Sequence, residues 1–161
     1  MTDELKTNFT NVITIERPQV ITKKISNPNW LAGFTTGEGC FFINIQKSKS
    51  HKLGIVVQLK LHLAQHERDE VLMKNLIEYL DCGKVYKYKN IVEFQVTKFS
   101  DLTDKVLPFF IKYPIQGIKF KDFEDFCQAV EIIKNKGHLT VKGLNEIYKI
   151  KENMNTGREL H

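Results

Sequence analysis

Apolar and polar residues alternate with a period of two in a pair of neighbouring stretches. Phe41, Ile43 and Ile45 alternate with Phe42, Asn44 and Gln46, and Val57, Leu59, Leu61 and Leu63 alternate with Gln58, Lys60 and His62. Side chains of a strand point to opposite faces in turn, so this pattern predicts two half-buried antiparallel strands. Gln65 is read as continuing the polar side of the second one. The basic run Lys47-Ser48-Lys49-Ser50-His51-Lys52 between them reads as a hairpin tip. A second hairpin is predicted over residues 84–97, turning near Lys89-Asn90. Its return strand sets Val92, Phe94 and Val96 against Ile91, Glu93, Gln95 and Thr97, and its outgoing strand puts Lys84, Tyr86 and Tyr88 on one face.

Helical spacing fills the rest. Val71, Leu72, Leu76, Ile77 and Leu80 predict a helix over residues 67–80, ended by Asp81-Cys82-Gly83. Another is predicted from Ser100, as cap, to about residue 110. A third covers about residues 119–136, with Phe120, Phe123, Cys127 and Val130 on its stripe. Thr140 can cap a last helix carrying Leu144, Ile147 and Ile150. Ahead of the first strand, Ser26 or Asn27 can cap a helix that has Pro28 in its first turn and is stopped by Gly39. The order is α-β-β-α-β-β-α plus C-terminal helices. That is an α+β fold with a four-stranded antiparallel sheet and helices on one face. Residues 1–25 lack sustained periodicity and read as an arm or linker, 26–154 as the domain, and 155–161 as a tail.

A chain of 161 residues fits one domain with a self-sufficient core. The formal charge of +5 and pI near 9.0 favour a polyanionic partner. Cys40, Cys82 and Cys127 form no CxxC pair and sit among apolar neighbours, so reduced, buried thiols are expected. No apolar run reaches membrane-spanning length, and the polar, acidic residues 1–6 give no sign of a targeting peptide.

Candidate chemistry concentrates in Leu31-Ala32-Gly33-Phe34-Thr35-Thr36-Gly37-Glu38-Gly39. Gly33 and Gly37 lie four apart on one helix face and lack side chains, so a second helix can approach almost backbone to backbone. Leu31 and Phe34 can face the core. Glu38 falls at the helix end, and two such helices side by side would bring two carboxylates together. That pairing is unfavourable without a cation between them, and a divalent metal ion answers the need.

The stretch resembles the signature of the LAGLIDADG homing endonucleases, with Phe34 and Glu38 as ordinary variants. Thr36 stands where Asp is common, which leaves Glu38 the only acid in the motif. The flanks Asn27-Pro28-Asn29-Trp30 and Cys40-Phe41-Phe42-Ile43 agree, and the resemblance extends over residues 27–154. Residues 1–25 resemble the connector of two-motif members, so the chain looks like the C-terminal half of one.

The resemblance implies a homodimeric, site-specific endonuclease acting on double-stranded DNA at a long, nearly palindromic target. Its two-fold axis would run between the Gly33/Gly37 faces. Cleavage would cross the minor groove, leave 3′ overhangs and serve homing of a group I intron, with a fungal mitochondrion as its compartment. Glu38 and the Gly37 carbonyl would bind Mg²⁺, with Mn²⁺ or Ca²⁺ able to substitute in binding. Gln65 would order water near the scissile phosphate, and Lys98 would stabilise charge in the transition state. Base-reading positions on the open sheet face would be Phe42, Asn44, Gln46, Gln58, Lys60, His62, Lys84, Tyr86, Tyr88, Glu93, Gln95 and Thr97. Lys47, Lys49, His51 and Lys52 would meet phosphates. A merely solvated sheet face is the competing reading of those residues. His62 and His66 show no HNH-like or HExxH spacing. An RNA-binding intron maturase, or a DNA-binding module of the same fold that does not cleave, is the alternative function.

Overall fold

The computed structural model describes residues 24–157. Most of the expected N-terminal arm and the end of the tail lie outside the described residues. Helix α1 (Pro28–Glu38) leads into β1 (Gly39–Lys47) and β2 (Ile55–His66), and a single 3-10 turn (Glu67–Asp69) opens α2 (Glu70–Leu80). The second hairpin is β3 (Lys84–Tyr88) and β4 (Ile91–Val96). Short α3 (Phe99–Asp101) passes through a π-helical turn (Leu102–Val106) into α4 (Leu107–Lys112), followed by α5 (Ile118–Lys134) and α6 (Val141–Glu152).

The strands form one antiparallel sheet in the order β1-β2-β4-β3, so the two hairpins meet along β2 and β4. Gly39 pairs with Leu63 and Leu63 with Phe94, and Phe41, Leu61 and Val96 form the next row on the same face. Phe41, Ile43, Leu59, Leu61, Leu63, Val92, Phe94 and Val96 are all buried, as the period-two pattern requires. The helices cover this face. Phe41 is central, with ring contacts at 5.9 Å to Phe110, 5.2 Å to Phe123 and 5.2 Å to Phe126. Each such pair adds about 0.5–1.5 kcal/mol beyond area burial.

The local signals at α1 act as expected. The Asn27 side chain accepts from the Asn29 N–H at 2.9 Å, and Pro28 occupies the first turn. Thr140 caps α6 by accepting from the Gly143 N–H at 3.1 Å. Gly39 ends α1 in extended backbone (φ −77°, ψ 151°), not in the left-handed conformation usual for a glycine stop. Its requirement is steric, since a Cβ there would sit 2.5 Å from Thr35 Cγ2 and 2.7 Å from the Thr35 carbonyl.

Other expectations are corrected by packing. Val71 is exposed and Met73 takes its place in the core, because the buried stripe of α2 runs Met73, Leu76, Leu80. Ser100 does not cap the helix after β4. Helix α3 begins at Phe99, and the π turn rotates the following residues so that Leu102, Val106, Leu107 and Phe110 all reach the core. On α5, Phe120 is part-exposed and Phe126 is buried instead. Of the cysteines only Cys82 is buried; Cys40 and Cys127 are half-buried, and all three are free. Burial pushes the Cys82 and Cys127 thiols up to about 11, which keeps them protonated and unreactive at neutral pH.

Edge strand β1 is sealed by the turn after α6. Asn155 donates from Nδ2 to the Phe41 carbonyl at 3.1 Å, and its own N–H is accepted by the buried Asp122 at 3.0 Å. Covering an edge in this way removes a template for unwanted pairing. Among the described residues no helix is long and apolar enough to cross a membrane.

Candidate functional site

Two surfaces carry the chemistry, and α1 joins them. Leu31, Ala32 and Thr35 turn inward and are buried. The opposite side of the helix is open. A Cβ built on Gly33 or on Gly37 meets no atom within 4 Å, so nothing described in the chain accounts for the notch. Beside it Trp30 and Phe34 stack at 5.0 Å with an interplanar angle of 14°, and Trp30 remains 42 % exposed.

Glu38 is the last residue of α1 and is exposed. The loop before α5 holds this helix end in place. The Gln116 N–H donates to Thr36 Oγ1 at 3.1 Å, while Thr36 donates to the Ala32 carbonyl at 2.8 Å. Lys119, in the first turn of α5, donates from Nζ to the Gly37 carbonyl at 3.0 Å. The C-terminal end of a helix carries partial negative charge on unpaired carbonyls, and an ammonium answers it. The basic residue that reaches the motif is therefore Lys119, not Lys98. Lys98 lies beyond the end of β4, on the side leading away from the Gly39–Leu63–Phe94 row. There it pairs with Asp101 at 3.6 Å. Lys119 is 82 positions from Gly37 and stands out by no local pattern, so sequence reasoning passed over it.

Gln65 is half-buried and pairs with Val92. The ladder runs without a bulge from Leu61 to His66, so Gln65 shares the face of Leu63, not that of His62. The expected polar phase is corrected accordingly. Gln65 lies two residues beyond Leu63, the partner of Gly39, and thus at the end of the sheet where α1 delivers Glu38.

The sheet face away from the helices carries the expected polar row. Cross-strand pairing aligns His62 with Gln95 and Gln95 with Lys84, and sets Tyr86 opposite Glu93, Phe42 opposite Lys60, and Asn44 opposite Gln58. Gln46, on the same face, and Tyr88 are exposed; Thr97 follows the last residue of β4. Gln95 donates from Nε2 to Glu93 at 2.7 Å, which orients both side chains. Burial holds the His62 imidazole below its ordinary pKa, helped by Lys60, and its Nδ1 is buried without a protein partner. Lys47, Lys49 and Lys52 are exposed around the tip, where His51 Nδ1 lies 2.7 Å from Ser48 Oγ. His66 instead accepts from the Arg68 N–H at 3.3 Å.

No group of three or more His, Cys, Asp or Glu side chains converges on one point among the described residues. Each chain brings one carboxylate and one carbonyl to the motif end, so a metal centre of several protein ligands needs a second contributor.

Comparison with known proteins agrees with this geometry. The LAGLIDADG endonuclease family model matches residues 31–130. A probable intron-encoded endonuclease 2 of Neurospora crassa is 38 % identical over 93 % of this chain and 34 % of its own length. Crystal structures of the LAGLIDADG homing endonuclease I-SmaMI superpose closely. The form bound to cleaved DNA gives a TM-score of 0.94 at 42 % identity, over 99 % of this chain and 54 % of that one. The form bound to an uncleaved DNA target with calcium ions gives 0.91 at 41 %, over 96 % and 53 %. The chain thus spans about a third of the curated relative (34 %) and about half of the solved ones (54 % and 53 %). In sequence, in fold and in the helix that ends at Glu38, the chain belongs to the LAGLIDADG endonuclease family.

Proposed function

We propose that this chain is one half of a site-specific, divalent-metal-dependent DNA endonuclease. Two α1 helices would pack through their Gly33/Gly37 faces and deliver two acids to opposite strands of one duplex. The observation that carries this reading is the motif end itself: an unoccupied glycine face, an exposed Glu38 as the final helical residue, and a lysine on the neighbouring carbonyl.

The donor set fits a hard divalent cation. A carboxylate and a backbone carbonyl stand at the negative end of a helix, and that carbonyl already attracts the Lys119 ammonium. Glu38 and the Gly37 carbonyl would hold Mg²⁺, and the relative crystallised with calcium ions on its target supports an ion of this class. Bound there, such an ion would lower the pKa of a water and stabilise charge on the attacked phosphate. Lys119 holds positive charge beside the same phosphate, and half-buried Gln65 can orient a water by its amide. The sheet face reads base edges, and the Lys47, Lys49 and Lys52 tip contacts phosphates without regard to sequence.

Pairing of two copies would give the two-fold arrangement and a nearly palindromic target. The solved relatives are nearly twice as long, which leaves room for a second unit of this size in one chain. Cutting across the minor groove with 3′ overhangs, group I intron homing and residence in a fungal mitochondrion follow from the same reading. The N. crassa relative, a probable intron-encoded endonuclease of a fungus, supports the intron and the fungal source among these.

The test is cleavage of a plasmid library carrying randomised duplex inserts, with Mg²⁺ and with EDTA, by the wild-type chain and by Glu38→Gln. Metal-dependent cutting at a defined sequence, lost in Glu38→Gln, is the expected result. Cutting that persists in the variant removes Glu38 from the chemistry. Duplex binding without cutting points to a non-cleaving module, and preference for structured intron RNA to a maturase.

A further inference from the structure

Helix α6 lies with the helices that cover one face of the sheet, yet one of its side chains reaches the other face. Phe42 is on the open side of edge strand β1, paired across the ladder with Lys60. Lys60 Nζ sits 5.7 Å from the Phe42 ring centroid, and Lys151 Nζ, from the last turn of α6, also sits 5.7 Å from it. Lys151 has passed round the rim of β1 to do this. Its position is fixed by the turn that follows, where Asn155 bonds the Phe41 carbonyl and is itself held by Asp122.

Attraction to the ring accounts for each lysine separately. It does not account for two ammoniums around one ring. Among the described residues neither Lys60 nor Lys151 has a carboxylate within ion-pair distance, whereas Lys74, Lys87, Lys98 and Lys105 each do. Glu152 lines the same hollow as Phe42 and Lys151 without pairing with either lysine, so the two ammoniums leave net positive charge there, which favours an anion. The site is solvent-facing and lies on the same face as the predicted base-reading row, so the anion that fits is a backbone phosphate of the bound duplex.

We propose that Lys151 and Lys60, gathered at the Phe42 ring, form a clamp that contacts phosphates of the DNA backbone at the β1 edge. Helix α6 is then part of the nucleic-acid surface and not only a cover for the core. This rests on the reading of the open sheet face as a DNA surface. The clamp is a positioning contact, sequence-independent and on the rim, distinct from the chemistry at Glu38.

The test is fluorescence anisotropy with a labelled 30-base-pair duplex of arbitrary sequence, titrated between low and moderate salt. Wild type, Lys151→Ala, Lys151→Gln, Lys151→Arg and the control Lys134→Ala, on the far end of α5, would be compared. Removing one phosphate contact reduces the slope of log affinity against log salt by about 1. Lys151→Ala and Lys151→Gln should show that reduction, while Lys151→Arg and Lys134→Ala should retain the wild-type slope. Lys151→Gln keeps most of the stem over Phe42, so it still reports on charge if the alanine variant unfolds. An unchanged slope in Lys151→Gln overturns the clamp and leaves the DNA reading standing. Failure of the wild-type chain to bind duplex overturns the DNA reading and the clamp with it.

Discussion

The two sides of α1 obey different rules. The side bearing Leu31, Ala32 and Thr35 is completed by the chain itself and is buried. The side bearing Gly33 and Gly37 is exposed, with open space where side chains would stand. A mid-helix glycine costs about 1 kcal/mol relative to alanine, and here two glycines face space that no described side chain fills. A helix shaped for its own fold alone would not carry them. The contrast is that the domain is finished on one side and open on the other, where the proposed pairing places a second helix.

Substitutions on the two sides should therefore fail in different ways, and the largest effect is at the acid between them. Glu38→Gln should lower metal-dependent cleavage by more than about 100-fold, the upper range for disturbing even an outer metal contact. Its thermal midpoint should stay close to wild type, because Glu38 is exposed. A plasmid assay and a melting curve on one preparation check both halves of that expectation.

On the buried side, Leu31→Ala should cost about 2–5 kcal/mol of stability, read from urea titration. On the open side, Gly33→Leu should leave stability unchanged or raise it by up to about 1 kcal/mol through helix propensity. The same variant should abolish pairing in sedimentation, and cleavage with it. If Gly33→Leu destabilises the chain as Leu31→Ala does, the distinction between the sides is lost.

Lys119→Ala removes the ammonium from the Gly37 carbonyl and should reduce cleavage by about 10–100-fold, as for other groups that orient a metal ligand. Lys98→Ala, which loses the pair between this exposed lysine and half-buried Asp101, should leave turnover near wild type. Measuring both under single-turnover conditions separates the lysine that reaches the motif from the one that does not.

These outcomes bear on what the sequence makes legible. Period-two alternation fixes the inner face of the sheet from Phe41 to Val96, because one residue of slip would expose the whole core. Gly33, Gly37 and Glu38 are legible because their spacing is local to a single helix. Lys119 is not: its partner is 82 residues away and only the packing of α5 on α1 joins them. The face of Gln65 is legible in principle, since its odd number puts it with Leu61 and Leu63 wherever the strand runs unbroken, as the β2–β4 ladder does. Helix positions such as Phe126 and Met73 escaped because a rotation of one residue moves the stripe, and apolar neighbours hide the shift. Asn155, a polar residue near the chain end, gives no sign in sequence that it seals the β1 edge.

The smallest expected effect is on pH dependence. Burial lowers the His62 pKa from its ordinary 6.5, so the unfolded chain binds the proton more readily than the folded one. Stability should then fall as pH drops from about 6.5 through the lower folded value. His138 is shifted in the same direction by burial and adds to the slope. His62→Gln should flatten the decline without removing it, as seen in melting curves from pH 7 to 5.

The most direct measurement uses mixed chains on a target recovered from the randomised library. Wild-type and Glu38→Gln chains, co-refolded at equal concentration, would be scored for nicked against linear plasmid. If two α1 helices meet and each acid serves one strand, the mixed pairs nick a single strand and nicked circles accumulate. If the mixture yields only linear product with no excess of nicked circles, the two acids do not act on opposite strands from one shared interface.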